Sequence, residues 1–357
     1  MKRLNRRSVL GLGVATGAAA LAPLRWNSSA ARQARGAVSA LIDPRSLIPP
    51  ELLRPLEGVL AKWGTGDIDA SNLAEIRKTI AAQSAAVHTP GVERRIIPGS
   101  PGAPGVPVYI INAAKGSARR PAILHMHGGG FIFGTALQAV PELQRIAHEL
   151  DCVAVTVDYR LAPQTRFPGA LEDNYSALRW LLSSAAELGV DTGRIAVMGE
   201  SAGGGHAAML AIAARDRKEF KLAAQILIYP MLDDRTGSSH SVPPFIGTFI
   251  WTRGSNRYGW SSLLGEPAGS KHVPYGSVPS RITDLAGLPP TFIGVGSIDL
   301  FVDEDVDYGQ RLLNSGVQVE LNVVPGAYHG FDGIAPDAPL THRFRAAELG
   351  ALRRAFA

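Results

Sequence analysis

Hydrophobic residues recur along this chain with two different spacings, and the change between them divides it into two parts. Residues 47–88 carry apolar positions at helical spacing, first Leu52, Leu53, Leu56, Val59 and Leu60, then Leu73, Ile76 and Ile80. From Val92 onward short β-rich runs appear at 92–97 and 106–111, separated by the turn-forming stretch PGSPGAPG. We therefore expect a helical segment at 47–90, followed by two hairpin-like strands.

Strand-like and helix-like patterns alternate through the rest of the chain. Six apolar runs predict strands at 122–126, 153–157, 195–198, 224–228, 291–295 and 319–323. Helical patterns lie between them or follow them at 138–150, 170–188, 203–216, 303–315 and 341–355. Such alternation predicts the α/β class, with a mostly parallel eight-stranded sheet and helices on both faces, over a domain at 91–357.

Residues 231–288 interrupt this alternation with a long stretch rich in Gly, Ser, Pro and aromatic residues. A connection this long inside a compact domain usually has a function, so we expect an inserted lid or cap. Its aromatic side chains either line an apolar substrate pocket or pack the insertion together; they are Phe245, Phe249, Trp251, Tyr258, Trp260 and Tyr275.

The N-terminus combines a basic head, with Arg6 and Arg7 adjacent, and an uncharged stretch rich in Ala, Gly and Leu up to Leu24. This pattern resembles a twin-arginine export signal. The stretch is shorter than the roughly 20 residues of a bilayer span, so no stable membrane anchor is expected. We expect residues 1–30 to be removed after Ala30 or Ala31, residues 31–46 to form a linker, and the protein to be periplasmic or extracellular. The alternative is a disordered basic tail on a cytoplasmic protein.

The charge balance depends on that segment. The chain has 36 basic and 31 acidic residues, and residues 1–30 contain five of the basic residues and no acid. Without them the charges balance, so no nucleic-acid partner is expected. The single cysteine, Cys152, excludes an intrachain disulfide, and its apolar surroundings predict a buried, inert thiol.

The pentapeptide GESAG at 199–203 places Ser201 between two glycines directly after a predicted strand. A strand that turns sharply into a helix brings two backbones close together, and Gly199 and Gly203 provide the room. The turn would present the Ser201 hydroxyl at the carboxyl edge of the sheet, with the Ala202 amide at a helix N-terminus. Ser201 is therefore the candidate nucleophile.

A second motif, His127 followed by three glycines and Phe131, ends the strand predicted at 122–126. Glycine amides can approach a substrate oxygen closely because they carry no side chain. We expect Gly128 and Gly129 to form an oxyanion hole together with Ala202. His127 lies at the root of this loop, which favours a structural role over that of a base.

A serine nucleophile needs a base, and the base needs an orienting acid. Asp299 follows the strand predicted at 291–295, and His329 follows the last strand within PGAYHGF. The order Ser201, Asp299, His329 is that of α/β-hydrolases. Asp303 is the alternative acid, although its position better suits a charge at the start of the next helix. We assign no catalytic role to Glu200, which lies beside the candidate nucleophile.

Together these motifs resemble the hormone-sensitive-lipase-like esterases, the HGGG carboxylesterases of bacterial family IV with the α/β-hydrolase fold. The resemblance spans about residues 90–355 and rests on HGGGF 127–131, DYRLAP 158–163, FPGALED 167–173, GESAG 199–203, YPMLDD 229–234, LPP 288–290, DLFVDE 299–304 and HGF 329–331. It implies a cap built from the N-terminal helices and residues 231–288. It also implies no metal or other cofactor, and hydrolysis of small carboxylic esters by Ser201, Asp299 and His329.

The chain departs from the family pattern at three places. Leu300, Phe301 and Val302 stand where the family usually has Pro, Leu and Arg. Gln164 stands where an acid is usual, and Glu200 replaces the more frequent Asp. None of these changes removes a reacting group, so they bear on substrate preference and on ion pairs around Gln164.

The expected activity is hydrolysis of small esters with short to medium acyl chains through an acyl-enzyme. An amidase or lactonase could use the same residues, because nucleophile, base and oxyanion hole are shared. A non-catalytic protein of this fold could hold a small ligand in the cap pocket, but the presence of His329 favours an enzyme. The expected partner is a small-molecule ester, and a homodimer is compatible with these features.

Overall fold

A computed structural model describes residues 42–87, 89–114 and 119–357 of the protein. The predicted export signal at 1–30 and residues 31–41 of the predicted linker lie outside this range. Eight strands form one sheet: β1 (Val92–Ile97), β2 (Val106–Ile111), β3 (Arg120–Met126), β4 (Val153–Val157), β5 (Val190–Glu200), β6 (Ala224–Ile228), β7 (Thr291–Gly296) and β8 (Val319–Val324).

The strand order across the sheet is β1-β2-β4-β3-β5-β6-β7-β8. Strand β2 pairs antiparallel with both β1 and β4, and every other neighbouring pair is parallel. The predicted α/β class and the mostly parallel eight-stranded sheet are confirmed. Parallel strands end at the same edge, so residues that follow β3, β5, β7 and β8 come together there.

The helices are α1 (Pro50–Trp63), α2 (Leu73–Ala85), α3 (Val140–Leu150), α4 (Gly169–Ser183), α5 (Ala185–Leu188), α6 (Ala202–Arg217), α7 (Arg253–Leu264), α8 (Val302–Asn314), α9 (Phe331–Ile334) and α10 (Pro339–Phe356). The pattern predicted at 170–188 is divided between α4 and α5, and that at 138–150 begins with a 3-10 turn at Ala136–Ala139. Strand β5 begins at Val190, five residues before the apolar run that predicted it.

Alternate residues of each strand face two separate apolar clusters, one on each side of the sheet. Leu124, Val197 and Leu227 pack with α4, α6 and α8 on one face. Ile123, Met198 and Ile226 pack with α1, α3 and α10 on the other. Because side chains alternate with a period of two, strands that are apolar at every position bury both faces, which requires helices on both sides.

The N-terminal helical segment and the 231–288 insertion contact each other beyond the carboxyl edge of the sheet. Ile68 N–H donates to Ser255 Oγ over 2.8 Å, and Thr252 Oγ1 donates to Asp67 Oδ1 over 2.5 Å. Helix α7 supplies Thr252 as its N-cap and Ser255 from its first turn. Among the residues described, no helix combines the length and apolarity needed to cross a bilayer.

Candidate active site

Ser201 occupies the sharp turn between the end of β5 and the start of α6. Its backbone has φ 56° and ψ −122°, a conformation that L-residues rarely adopt. Ser201 N–H donates to Ile228 O over 2.8 Å, and Ser201 O accepts from Met231 N–H over 3.0 Å. These two hydrogen bonds to the segment at the end of β6 hold the turn and present the hydroxyl at the carboxyl edge.

The glycines around Ser201 are required by close backbone contacts. A Cβ on Gly203 would lie 2.0 Å from Met126 O, and one on Gly199 would lie 2.4 Å from Gly203 C and O. Neither distance is sterically possible, so any larger residue would push α6 away from β3 and β5. This is the close approach that the GESAG pattern predicts.

Three side chains from three strand ends form a continuous hydrogen-bonded chain. His329 Nε2 lies 2.9 Å from Ser201 Oγ, and His329 Nδ1 lies 2.8 Å from Asp299 Oδ2. Asp299 Oδ1 accepts from the N–H of Phe301 over 3.0 Å, which fixes the carboxylate. A carboxylate can only accept, so Nδ1 carries the proton and Nε2 is free to take one from the serine.

The alternative acid, Asp303, lies elsewhere. It is exposed in the first turn of α8, where a negative charge complements the helix dipole. Asp299, by contrast, is 1% exposed and in direct contact with the imidazole. The structure therefore places Asp299, three residues after β7, against His329.

The glycine loop after β3 lies beside the serine. A Cβ on Gly128 would come within 3.1 Å of Glu200 O and 3.5 Å of Ser201 Cβ, and Gly129 has φ 122°. In the described part of the chain, no hydrogen bond is found for the N–H groups of Gly128, Gly129 or Ala202. Unpaired N–H groups next to a serine hydroxyl are suited to an oxyanion.

His127 shapes this loop and does not face the serine. Its Nδ1 donates to Gly128 O over 2.7 Å, its ring stacks on Tyr159 at 4.3 Å, and Tyr159 Oη donates to His127 O over 2.6 Å. Burial lowers the pKa of His127, and it lowers the pKa of the neighbouring His206 to about 3. Both rings are thus neutral side chains of the core at neutral pH.

Aromatic rings surround His329. Tyr229 lies 4.8 Å away edge-on, Phe301 lies 5.2 Å away, and Trp251 of the insertion lies 6.4 Å away. Trp251 also packs on Gly130, where a Cβ would meet its ring at 2.0 Å. These rings limit water around the imidazole and leave an apolar lining on the cap side.

The six aromatic residues of the insertion divide between the two roles expected for them. Trp251 contacts the site, and Trp260 is buried against Phe131 at 4.8 Å. Tyr275 is exposed, donates its hydroxyl to Asp216 and borders a separate surface cavity together with His272 and Arg281. Trp251 and Trp260 therefore pack the 231–288 insertion onto the glycine loop.

A second polar cluster lies directly beneath the site. Glu200 accepts from His125 Nε2 through both carboxylate oxygens, at 3.0 and 2.9 Å, and His125 Nδ1 lies 2.9 Å from Thr156 Oγ1. A cavity of about 390 Å³ adjoins it and is bordered by Gly128, Glu200, Tyr229 and Asp332. Burial raises the pKa of Asp332, whose carboxylate accepts from Tyr229 Oη over 2.8 Å.

The structure brings Ser201, Asp299 and His329 into direct contact and places Gly128 against Ser201, while Gly129 and Ala202 directly follow Gly128 and Ser201 in the chain. Sequence reasoning missed Tyr229 and Arg77. Tyr229 directly follows β6, so its place at a strand end could have indicated it, whereas Arg77 lies on α2 with no local signal. Within the described residues, no group of three His, Cys, Asp or Glu side chains could hold a metal ion.

Comparison with known proteins identifies the family. A family profile described as the alpha/beta hydrolase fold matches residues 123–333, which include the glycine loop, Ser201, Asp299 and His329. This match covers more than half of the chain. The chain belongs to the alpha/beta-hydrolase family.

Individual relatives agree with this assignment. The chain is 34% identical to the esterase LipI of Mycobacterium tuberculosis, over 72% of this chain and 80% of that protein. It is 32% identical to an arylesterase of Saccharolobus solfataricus, over 64% of this chain and 73% of that protein. Among solved structures, a bacterial heroin esterase matches 88% of this chain and 100% of its own, with a TM-score of 0.76 and 36% identity.

Proposed function

We propose that this chain hydrolyses small carboxylic esters of short to medium acyl chain length, with Ser201 as nucleophile, His329 as base and Asp299 as orienting acid. The observation that carries the assignment is the chain of hydrogen bonds from Ser201 Oγ to His329 Nε2 and from His329 Nδ1 to Asp299 Oδ2. The chain aligns with most of the length of relatives that are named esterases, which makes it a carboxylic ester hydrolase. The HGGG motif at 127–130 supports the finer assignment to the hormone-sensitive-lipase-like esterases.

The reaction proceeds in two acyl-transfer steps. His329 Nε2 takes the Ser201 proton as Oγ attacks the ester carbonyl, and the oxyanion accepts hydrogen bonds from the N–H groups of Gly128, Gly129 and Ala202. The imidazolium then gives its proton to the leaving alcohol. Water, deprotonated by the same imidazole, attacks the acyl-enzyme, and the imidazolium returns the proton to Ser201 Oγ as the acid leaves. Asp299 stabilises the imidazolium in both steps.

A chain-length series of p-nitrophenyl esters, from acetate to dodecanoate, tests the proposal with a Ser201→Ala variant beside it. We expect hydrolysis to peak among the shorter acyl chains, and the variant to lose about 10⁴- to 10⁶-fold in kcat. Equal rates for the two proteins, or no hydrolysis by either, would refute the esterase assignment.

Export and the two-part cap are proposals on the same footing. The pattern of residues 1–30 supports export by the twin-arginine route, and a mature N-terminus at Ala31 or Arg32 in the periplasm or medium, read by mass spectrometry, is the expected result. An intact Met1 in the cytoplasm would contradict it. The contacts of Asp67 and Ile68 with Thr252 and Ser255 support a cap made of residues 47–90 and 231–288.

A further inference from the structure

Arg77 connects a helix outside the sheet to the loop that carries the glycine amides. It lies on α2, and its guanidinium makes three hydrogen bonds to residues distant in sequence. Nε donates to Ile132 O over 2.7 Å, Nη2 donates to Ala162 O over 2.6 Å, and Nη1 donates to Gln164 Oε1 over 2.9 Å. The planar fork of a guanidinium can hold three such acceptors in one fixed geometry.

The acceptors of Arg77 are the points at which the glycine loop closes. Gly129 O accepts from the N–H groups of both Ile132 and Phe133, which folds the loop, and Phe131 O accepts from Ala162 N–H over 2.9 Å. The backbone at Ile132 is therefore joined on one side to Gly129 and on the other to Ala162. Arg77 bridges Ile132 and Ala162 from outside, so its removal would leave both carbonyl oxygens without this donor.

The same face of α2 makes a second contact with this loop. Ser84 lies seven residues after Arg77, which is two helical turns, and its Oγ accepts from Thr135 Oγ1 over 2.9 Å. Ser84 is buried. Helix α2 thus contacts the loop after β3 at Ile132 and again at Thr135. The two contacts fix the orientation of the helix on this loop.

Hydrogen bonding, not ion pairing, explains the place of Arg77. In the described part of the chain no carboxylate lies within ion-pair distance of its guanidinium, and the side chain of Gln164 is neutral. The positively charged donors are satisfied by two backbone carbonyls and one amide oxygen. A charge-assisted bond to a backbone carbonyl fixes the position of that peptide more strongly than a neutral bond does.

We propose that Arg77 is a positioning residue for the oxyanion loop, holding the Gly128–Gly129 amides in the geometry that stabilises the tetrahedral intermediate. The proposal rests on the esterase function proposed above. It makes an N-terminal helix part of the catalytic device, because oxyanion stabilisation depends on placing donors within a few tenths of an ångström. Arg77 itself does not touch the reacting atoms.

The test compares Arg77→Met with Lys78→Met. Both variants remove a cation from adjacent positions of α2, but the Lys78 side chain is 79% exposed and pairs only with Glu75 at the surface. We expect Arg77→Met to lower kcat about 10- to 100-fold with KM changed less than about threefold, as for a misplaced transition-state contact. Lys78→Met should match the wild type, and Arg77→Lys should recover part of the loss, because its one ammonium group cannot reach all three acceptors in the guanidinium geometry.

A second measurement is independent of turnover. Hydrogen exchange followed by mass spectrometry should show faster exchange over residues 128–135 in Arg77→Met than in Lys78→Met, with the strands of the sheet unchanged. If the wild type hydrolyses no ester, the proposed function falls while this readout still tests the positioning role. If Arg77→Met does not fold, Arg77→Lys decides in its place. Unchanged kcat in the folded variant, or unchanged exchange over 128–135, would overturn the proposal.

Discussion

Two hydrogen-bonded chains of side chains in this protein each link a carboxylate, an imidazole and a hydroxyl. They differ in the surroundings of the hydroxyl. In the first, Asp299 and His329 end at Ser201, on a strained turn beyond the sheet edge. In the second, Glu200 binds His125, and His125 binds Thr156, which is fully buried within β4, one residue before the strand ends. The residue types are equivalent, so the composition of a triad does not define an active site.

The position of each hydroxyl explains the difference. His125 and Thr156 are direct partners in the parallel pairing of β3 and β4, so their contact follows from strand register and is covered by helices. Ser201 has left the strand in a turn that the close backbone contacts of Gly199 and Gly203 make possible, and Gly128 lies against it. A hydroxyl becomes a usable nucleophile where the backbone presents it next to unpaired N–H groups.

Replacing His329 and His125 in separate variants should give the largest difference in kcat between the two hydrogen-bonded chains. We expect His329→Gln to reduce kcat about 10⁴- to 10⁶-fold, because no other group can take the serine proton. His125→Gln should keep kcat within about tenfold, since the side-chain hydrogen bonds of His125 in the described part of the chain go to Glu200 and Thr156 and not to the triad. The measurement is kcat on p-nitrophenyl acetate per folded protein, with circular dichroism as the check on folding. Equal losses would mean that the buried chain takes part in turnover.

The two carboxylates provide the next comparison. Asp299→Asn should lower kcat by about 10³- to 10⁴-fold, because the amide no longer selects the tautomer in which Nε2 is free. Glu200→Gln, which removes a charge directly beside the nucleophile, should lower it by less than about tenfold. Steady-state kinetics with the same ester decides between them, and a larger loss for Glu200→Gln would reverse the assignment of the acid.

Thr156→Val tests whether the buried hydrogen-bonded chain of Glu200, His125 and Thr156 stabilises the fold. The substitution keeps the shape of the side chain and leaves His125 Nδ1 without its partner, which should cost about 1–3 kcal/mol of unfolding free energy. Urea denaturation measures the loss, and kcat at saturating ester serves as the control. A fall in kcat with unchanged stability would contradict a structural role.

Asp305 extends the comparison to a buried acid with no partner at all. Neither carboxylate oxygen has a hydrogen-bond partner among the described residues, and burial raises the pKa of Asp305 well above its ordinary value. The unfolded chain ionises this group above about pH 4, whereas the raised pKa makes the folded protein hold the proton to higher pH, so stability falls as pH rises through this interval, by at most about 1.4 kcal/mol per pH unit. Asp305→Asn should remove this loss, giving a higher Tm at pH 8 and little change at pH 4. An equal change in Tm at pH 4 and at pH 8 would exclude Asp305 as the source of this pH dependence.

Much of the fold was predictable because its signals are local. Apolar runs, turn-forming stretches and helical spacing predict all eight strands and the alternation with helices, and the order of Ser201, Asp299 and His329 predicts their meeting at one sheet edge. The errors lie at element ends. Strand β5 begins at Val190 because pairing with Arg120 of β3 extends it through polar residues that the apolar pattern does not include.

Other features depend on contacts between distant segments. Arg77 reaches carbonyls 55 and 85 residues away, and nothing in the sequence near position 77 distinguishes it from the neighbouring Lys78. Trp251 and Tyr275 belong to the same insertion, yet one packs against Gly130 and the other faces solvent. Such differences follow from how the 231–288 insertion packs against distant segments.

The sequence by itself determined the strands, their parallel arrangement and the reacting groups, because periodicity and glycine-flanked motifs express constraints between near neighbours. Only the tertiary structure decided which carboxylate contacts His329, which of two imidazole–hydroxyl chains reaches the sheet edge, and that Arg77 of α2 donates to the loop after β3. The physical reason is that these choices depend on distances across the fold, where hydrogen bonds form or fail within a few tenths of an ångström.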